Sequence, residues 1–216
     1  MSGPENLRGI DYQICCTLLL VLNALVEDTS FVEVQIESID NDGEDLSFHY
    51  GDSRHLEVQL KKLAEGYNWT PASLRPILRR FSELPSTCEC LFLSDGSASR
   101  ELGPLKAFLE TGGLPSSDVI GAVCNTEFTE QGLKQLAGRV RFNTRHFSSP
   151  DEADPARSVR AEIERAIVVG PFALTGSAKE VAERLWAVVF RAAKAATKMS
   201  REEVLREFSS AGLAGC

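Results

Sequence analysis

His55-Leu56-Glu57-Val58-Gln59-Leu60-Lys61 sets apolar Leu56, Val58 and Leu60 against polar Glu57, Gln59 and Lys61. A repeat of two is the period of a β-strand, whose successive side chains point to opposite faces. The same alternation occurs twice upstream. Val32, Val34 and Ile36 oppose Glu33, Gln35 and Glu37, and Leu46, Phe48 and Tyr50 oppose Asp45, Ser47 and His49. The acidic, glycine-containing turn Asp40-Asn41-Asp42-Gly43-Glu44 separates the first two strands, and Gly51-Asp52-Ser53 separates the second from the third. Three alternating strands joined by two short turns predict an antiparallel meander. Before it, Asp11 to Val26 carries apolar side chains on nearly every face, which predicts a buried helix for the meander to pack on.

Downstream, Thr70 to Phe81 reads as a helix, with Pro71 in its first turn and Pro76 as a kink or break. Cys88 to Leu93 reads as a strand, Leu105 to Glu110 as a helix, Val119 to Cys124 and Arg139 to Phe142 as short strands, and Ser148 to Asp154 as a loop. Ser177 with Glu180, and Ser200 with Glu203, have the spacing of a capping box at the start of two helices. The first of these carries Val181, Leu185, Val188, Val189 and Ala192 along one face. The order is helix, three strands, helix, strand, then a mostly helical remainder: an α/β chain with an α+β-like order. The expected division is residues 1–150 as a core and 151–216 as a helical extension. Gly170 to Ser177 is glycine-rich but lacks the lysine and spacing of a phosphate loop, so it reads as a turn and cap.

The chain has 216 residues, 43% hydrophobic and 25% charged, the mix of a globular domain. A net charge of −8, from 23 basic and 31 acidic residues, argues against a surface that coats nucleic acid throughout, though not against a local basic cleft. The apolar run Ile14 to Val26 is short for a bilayer span and lacks the basic flank of a secretory signal. The expectation is therefore a cytoplasmic protein with no membrane partner. The six cysteines form no C-x-x-C pair and, with three histidines, complete no zinc pattern. They read as free thiols.

Glu57, Gln59 and Lys61 are the candidates for chemistry. Gln59 and Lys61 share one face of a strand, and Asp45 opens the preceding strand, from which an antiparallel pairing would bring it beside Lys61. A carboxylate and an amide oxygen suit a hard cation such as Mg²⁺, which polarises a phosphoryl oxygen and lowers the pKa of its water. A lysine orients that water and offsets charge in the transition state. The same alternation is also the ordinary pattern of a solvated sheet face. From Ser53 to Arg80, six basic residues (Arg54, Lys61, Lys62, Arg75, Arg79, Arg80) stand against Glu57 and Glu65. Such a stretch is either a phosphate-contacting surface or an exposed charged helix face.

Four segments in this order carry a resemblance: Gly9-Ile10-Asp11-Tyr12-Gln13, Val34 to Asp40, Glu44-Asp45-Leu46-Ser47-Phe48 and Val58-Gln59-Leu60-Lys61-Lys62. With Asn68 to Leu74 after them, they resemble the nuclease domain of the CD-NTase-associated dsDNA endonucleases, an Mrr-like branch of the PD-(D/E)xK superfamily. That domain is also the N-terminal effector of some antiviral STAND ATPases. The motif-bearing part covers about residues 9 to 81. The resemblance implies a restriction-endonuclease-like core that cuts double-stranded DNA with little sequence specificity, in antiphage defence, using Mg²⁺ or Mn²⁺. It implies Asp45 as the metal-binding aspartate, Gln59 where many relatives have an acid, and Lys61 as the catalytic lysine. Glu37, as a further metal ligand, and Gln13 would complete the site.

Here Asn41-Asp42-Gly43-Glu44 separates Asp40 from Asp45, where the family has adjacent aspartates. Asp40, Asp42 and Asp45 are thus all candidates for the ligand, with Asp45 preferred because it directly precedes the apolar alternation. A nuclease of this kind needs restraint, so the resemblance implies homo-oligomerisation or a sensor, either a STAND ATPase or a nucleotide-sensing module, attached or supplied by a partner. Because Gln59 removes a charge from the metal site, the rival expectation is a catalytically inactive nuclease-fold module that binds nucleic acid or protein. A third is a restriction-type enzyme with real sequence specificity.

Overall fold

A computed structural model describes residues 4–36, 45–62, 67–144 and 155–215. In chain order the elements are α1 (Pro4–Glu27), β1 (Phe31–Ile36), β2 (Asp45–Tyr50), β3 (His55–Lys61), β4 (Asn68–Trp69), α2 (Pro71–Glu83), β5 (Cys88–Ser94), β6 (Ser97–Ala98), α3 (Leu102–Thr111), α4 (Ser117–Val123) and α5 (Glu130–Gln135). Then follow β7 (Val140–Thr144), α6 (Pro155–Val169), β8 (Ala173–Leu174), α7 (Ala178–Lys194), β9 (Lys198–Ser200), α8 (Arg201–Ser210) and β10 (Leu213–Ala214). The chain is α/β. It divides into two compact units, one of residues 1–53 with 147–216 and the other of residues 54–146.

In the first unit β1 pairs antiparallel with β2 on one side and β9 on the other. Val34, Ile36, Leu46 and Phe48 are buried, as the alternation predicts. Val32 is not: the pairing slips between Phe31 and Glu33, Phe31 takes the inward place, and Val32 is 48% exposed. One extra residue at a bulge reverses the faces of what precedes it. Helix α1 runs from Pro4 to Glu27, so it begins seven residues before the expected start at Asp11. Its Gly9–Glu27 stretch is long and apolar enough, by length and composition, to cross a bilayer. Here it packs on α6 and α7. Asp11 accepts two hydrogen bonds from Arg160 of α6, both at 2.7 Å. The two capping boxes form as expected, Ser177 with Glu180 and Ser200 with Glu203. Ala173 and Leu174, within the glycine-rich turn, pair with β10.

In the second unit β3, β5 and β7 run parallel, with β5 in the middle. Helices α2 to α5 cover one face of it, where Leu74, Leu78, Phe81, Phe108 and Leu133 pack with Phe92 and Phe142. Pro76 does not break α2, which runs unbroken from Pro71 to Glu83 behind a capping box made by Thr70 and Ser73. Burial of Leu74, Ile77, Leu78 and Phe81 along one side holds the helix through the missing N–H. The Val119 to Cys124 strand is a helix instead, α4, nucleated by Ser116, whose hydroxyl accepts from the Val119 N–H. A short apolar run cannot by itself tell strand from helix. Ser148 to Asp154 lies outside the described residues.

Candidate functional site

β3 sits beside β5 in strict parallel register, so Glu57 aligns with Cys90, Gln59 with Phe92 and Lys61 with Ser94. Cys90 and Phe92 belong to the core that the helices cover. The polar side of β3 therefore faces protein. Glu57 is 8% exposed and Gln59 3% exposed, which overturns the reading of this side as a solvated sheet face. Lys61, at the end of the strand, is half-buried.

Buried polar groups are costly unless partnered, and charged ones most of all. Glu57 is met by His55 two residues earlier on the same side, with Nε2 and carboxylate oxygen 3.2 Å apart. Gln59 is an amide at the deepest polar position of the strand, where a carboxylate would forfeit far more hydration. Ser94, wholly buried, accepts hydrogen bonds from Trp69 Nε1 at 2.8 Å and the Gly96 N–H at 3.1 Å. Its alignment with Lys61 and its bond to Trp69 had no signal in the sequence, since both depend on parallel pairing between strands far apart in the chain.

Two buried thiols, Cys88 and Cys90, lie on the same side of β5. Cys88 is held below the usual thiol range, chiefly by the Cys90 thiol hydrogen-bonded to it, with Arg139 assisting. Cys90 is pushed up by that same bond and by burial.

The remaining candidates lie in the first unit. Gln13 on α1 is 8% exposed, and its amide oxygen accepts no hydrogen bond among the described residues. Asp45 opens β2, but its side chain is outside the described residues, as are Glu37, Asp40 and Asp42. Among the described residues no three His, Cys, Asp or Glu side chains gather closely enough to hold a metal ion. Gln59 and Gln13 offer neutral oxygens, the donor type that Mg²⁺ accepts, but the negative charge it needs would come from Asp45 and Glu37.

The basic stretch resolves into separate roles. Arg75 is committed to structure, its Nε donating to the Val123 carbonyl at 2.6 Å. Arg79 faces Glu83 at 3.8 Å on the outer side of α2. Lys61 and Lys62 are both half-buried at the end of β3.

No protein-family model matches the chain, and no curated protein matches it. Among solved structures it is similar to the structure of the Moraxella osloensis Cap4 SAVED/CARF-domain containing receptor, with 17% identity and a TM-score of 0.59. The likeness covers 94% of this chain and 47% of that one, so the chain spans about half the length of the receptor. At this identity the likeness concerns the fold.

Proposed function

We propose that the chain is a metal-dependent DNA endonuclease module of PD-(D/E)xK type, acting as an effector in antiphage defence. The observation that carries this reading is the Gln59-x-Lys61 pair on a buried polar strand face. An amide 3% exposed and a lysine two residues on, at the strand end, are not features that a solvated surface would produce. In this reading Lys61 orients the attacking water and offsets charge on the phosphoryl group, while Gln59 supplies a neutral oxygen ligand. As the resemblance implies, Asp45 and Glu37 would supply the negative charge to hold a Mg²⁺ or Mn²⁺ ion, and Gln13 would complete the site. When bound, the ion lowers the pKa of water and polarises the phosphoryl oxygen. The fold likeness to a SAVED/CARF-domain containing receptor fits a module under the control of a sensor, and the place in antiphage defence is what the family resemblance implies.

The test is incubation of the purified chain with supercoiled plasmid and Mg²⁺ or Mn²⁺, beside Lys61→Ala. Cutting by the parent, reduced about 100-fold or more in the variant with its thermal melt unchanged, is the expected result. Absence of cutting by the parent, even when it is held as an oligomer, favours the second reading, a catalytically inactive module that binds nucleic acid or protein. What favours that reading is the amide at position 59, which lowers the charge available to a metal.

A further inference from the structure

Among the described cysteines, Cys88 and Cys90 alone stand two residues apart on one strand, so their side chains leave β5 on the same side. Cys15 and Cys16 are successive residues of a helix and point in different directions, and Cys124 has no cysteine near it in sequence. Cys88 is 1% exposed and Cys90 is fully buried. The Cys88 thiol donates to the Glu89 carbonyl at 3.3 Å and accepts from the Cys90 thiol, so the two sulfurs already lean toward each other along the strand. The chemistry assigned to Lys61 uses neither of them.

The pair sits at the entry to β5. Pro85, Ser86 and Thr87, the turn that leads into the strand, are exposed, and the Cys88 N–H closes that turn on the Pro85 carbonyl at 2.9 Å. Cys88 is thus the first buried residue after an exposed segment, and Cys90 lies one step deeper, in the helix-covered core. Arg139 stands at the same place. Its Nε and a terminal nitrogen donate to the Cys88 carbonyl at 3.1 and 2.9 Å, and the same terminal nitrogen donates to the Pro85 carbonyl at 2.6 Å. That cation favours the Cys88 thiolate, while Glu57, aligned with Cys90, opposes it. The thiolate is the nucleophile in sulfur chemistry, so the outer sulfur is the one suited to attack and the inner one to resolve.

We propose that Cys88 and Cys90 form a reversible thiol–disulfide switch, driven by hydrogen peroxide, that loosens the β3–β5–β7 array. Fraying of the exposed turn admits the peroxide to Cys88. The Cys88 sulfur attacks one peroxide oxygen: the S–O bond forms, the O–O bond breaks, and the departing oxygen takes the thiol proton and leaves as water. The Cys90 sulfur then attacks the Cys88 sulfenic acid: the S–S bond forms, the S–O bond breaks, and the hydroxyl leaves with the Cys90 proton as a second water. Two thiols lose two electrons, and the peroxide is reduced to water. Same-side neighbours on a strand are about 6.6 Å apart, whereas a disulfide holds its β-carbons about 3.8 Å apart. Closing the bond therefore shortens β5 and pulls on the Cys90 N–H bond to the Arg139 carbonyl, 2.9 Å long. Because β5 is the middle strand, the distortion falls on its pairing with both β3 and β7. A strained disulfide is readily reduced, which makes the step reversible by cellular thiols. The inference goes beyond the endonuclease reading and does not depend on it.

The experiment treats the full folded chain with a molar excess of hydrogen peroxide, removes the excess with catalase, and unfolds the chain in iodoacetamide. The peptide that carries Cys88 and Cys90 is then weighed. Expected is a peptide lighter than the reduced one by two hydrogens, about 2 Da. It takes no alkyl group until dithiothreitol is added and two afterwards. The oxidised chain melts lower by about 5 °C or more, and dithiothreitol restores it. Cys88→Ala and Cys90→Ala show no such peroxide-dependent fall, whereas Cys124→Ala behaves as the parent does. Cys90→Ala accumulates the Cys88 sulfenic acid, which dimedone traps, and Cys88→Ala leaves Cys90 unmodified. The measurement on the parent decides the matter even where a variant fails to fold. The proposal is overturned if both thiols are alkylated as fully after peroxide as before it. It is equally overturned if they pass to sulfinic or sulfonic acid, or pair with another cysteine, without bonding to each other. A Cys88–Cys90 disulfide that leaves the melting temperature unchanged overturns it too, because β5 would then take the bond without loosening.

Discussion

Gln59 illustrates how burial decides the chemistry of a single position. Beside Phe92 and 3% exposed, a carboxylate in its place would lack the water that stabilises its charge. Gln59→Glu therefore tests the site from the side of stability. The introduced carboxyl should have a folded-state pKa above its unfolded value, because burial disfavours the charged form. The folded state then binds the proton more tightly, so the variant's deficit is small near pH 4 and grows toward pH 7 (both approximate, set by an ordinary glutamate pKa of about 4.3). Millimolar Mg²⁺ should restore much of the lost melting temperature at neutral pH if a cation binds there. A deficit independent of Mg²⁺ would remove Gln59 from the metal site.

Ser94 gives a second test at this scale. Its hydroxyl serves two donors, the Trp69 indole and the Gly96 amide, in a fully buried place. Ser94→Ala leaves both without an acceptor and should cost about 2 kcal/mol in urea unfolding, more than the loss of one hydroxyl from a solvated site.

Among the elements, agreement between sequence and structure follows how local the determining interactions are. The capping boxes at Ser177 and Ser200 are settled within four residues, and both form as their spacing predicts. The alternation in β2 and β3 is equally local, and it placed Leu46, Phe48, Val58 and Leu60 inside. What covers the other side of a strand is not local. Nothing in Glu57-x-Gln59 announces that β5 and α2 to α5 will bury it, because that burial depends on Cys90, Phe92 and the helices after them. The bulge at Val32 is likewise fixed by pairing with β2 rather than by Val32 itself. Of the candidate residues, Gln59 and Lys61 stand out in the sequence as a polar pair, whereas the burial of Gln59 and the bond between Ser94 and Trp69 do not.

Pro76 shows the same competition inside one helix. Its ring removes an N–H that would bond to the Ala72 carbonyl, yet Leu74, Ile77, Leu78 and Phe81 hold α2 intact. Pro76 is exposed, so Pro76→Ala restores the bond without disturbing packing. The gain from helix propensity, about 3 kcal/mol at most, is reduced by the freedom the unfolded chain recovers, about 1 kcal/mol. A net stabilisation of about 1–2 kcal/mol should appear as a rise of several degrees in melting temperature. An unchanged or lower melting temperature would mean that the proline is relieved by a local distortion the helix prefers.

For the whole molecule, charge sets the terms on which DNA would be met under the proposed function. A chain of net charge −8 repels a polyanion at long range, and at the ends of β3 and β5 and in the segments that follow them the cations Lys61, Lys62 and Arg100 are matched by Glu65, Asp95 and Glu101. A single copy should therefore bind duplex weakly and lose that binding steeply as salt rises. Two copies held together on one duplex turn the second contact into an intramolecular one, which gains about 10²-fold or more without any new residue. Under the proposed function, that gain is a physical route to restraint: the module would stay quiet as a dilute single copy and would cut when a sensor assembles it. Fusing the chain through a flexible linker to a coiled-coil dimer should raise plasmid cleavage and duplex affinity together, by about 10²-fold at low salt, with Lys61→Ala abolishing the cleavage but not the gain in affinity. Equal cleavage by fused and unfused chains at matched concentration would show that assembly is not the switch, and control would have to act within a single copy.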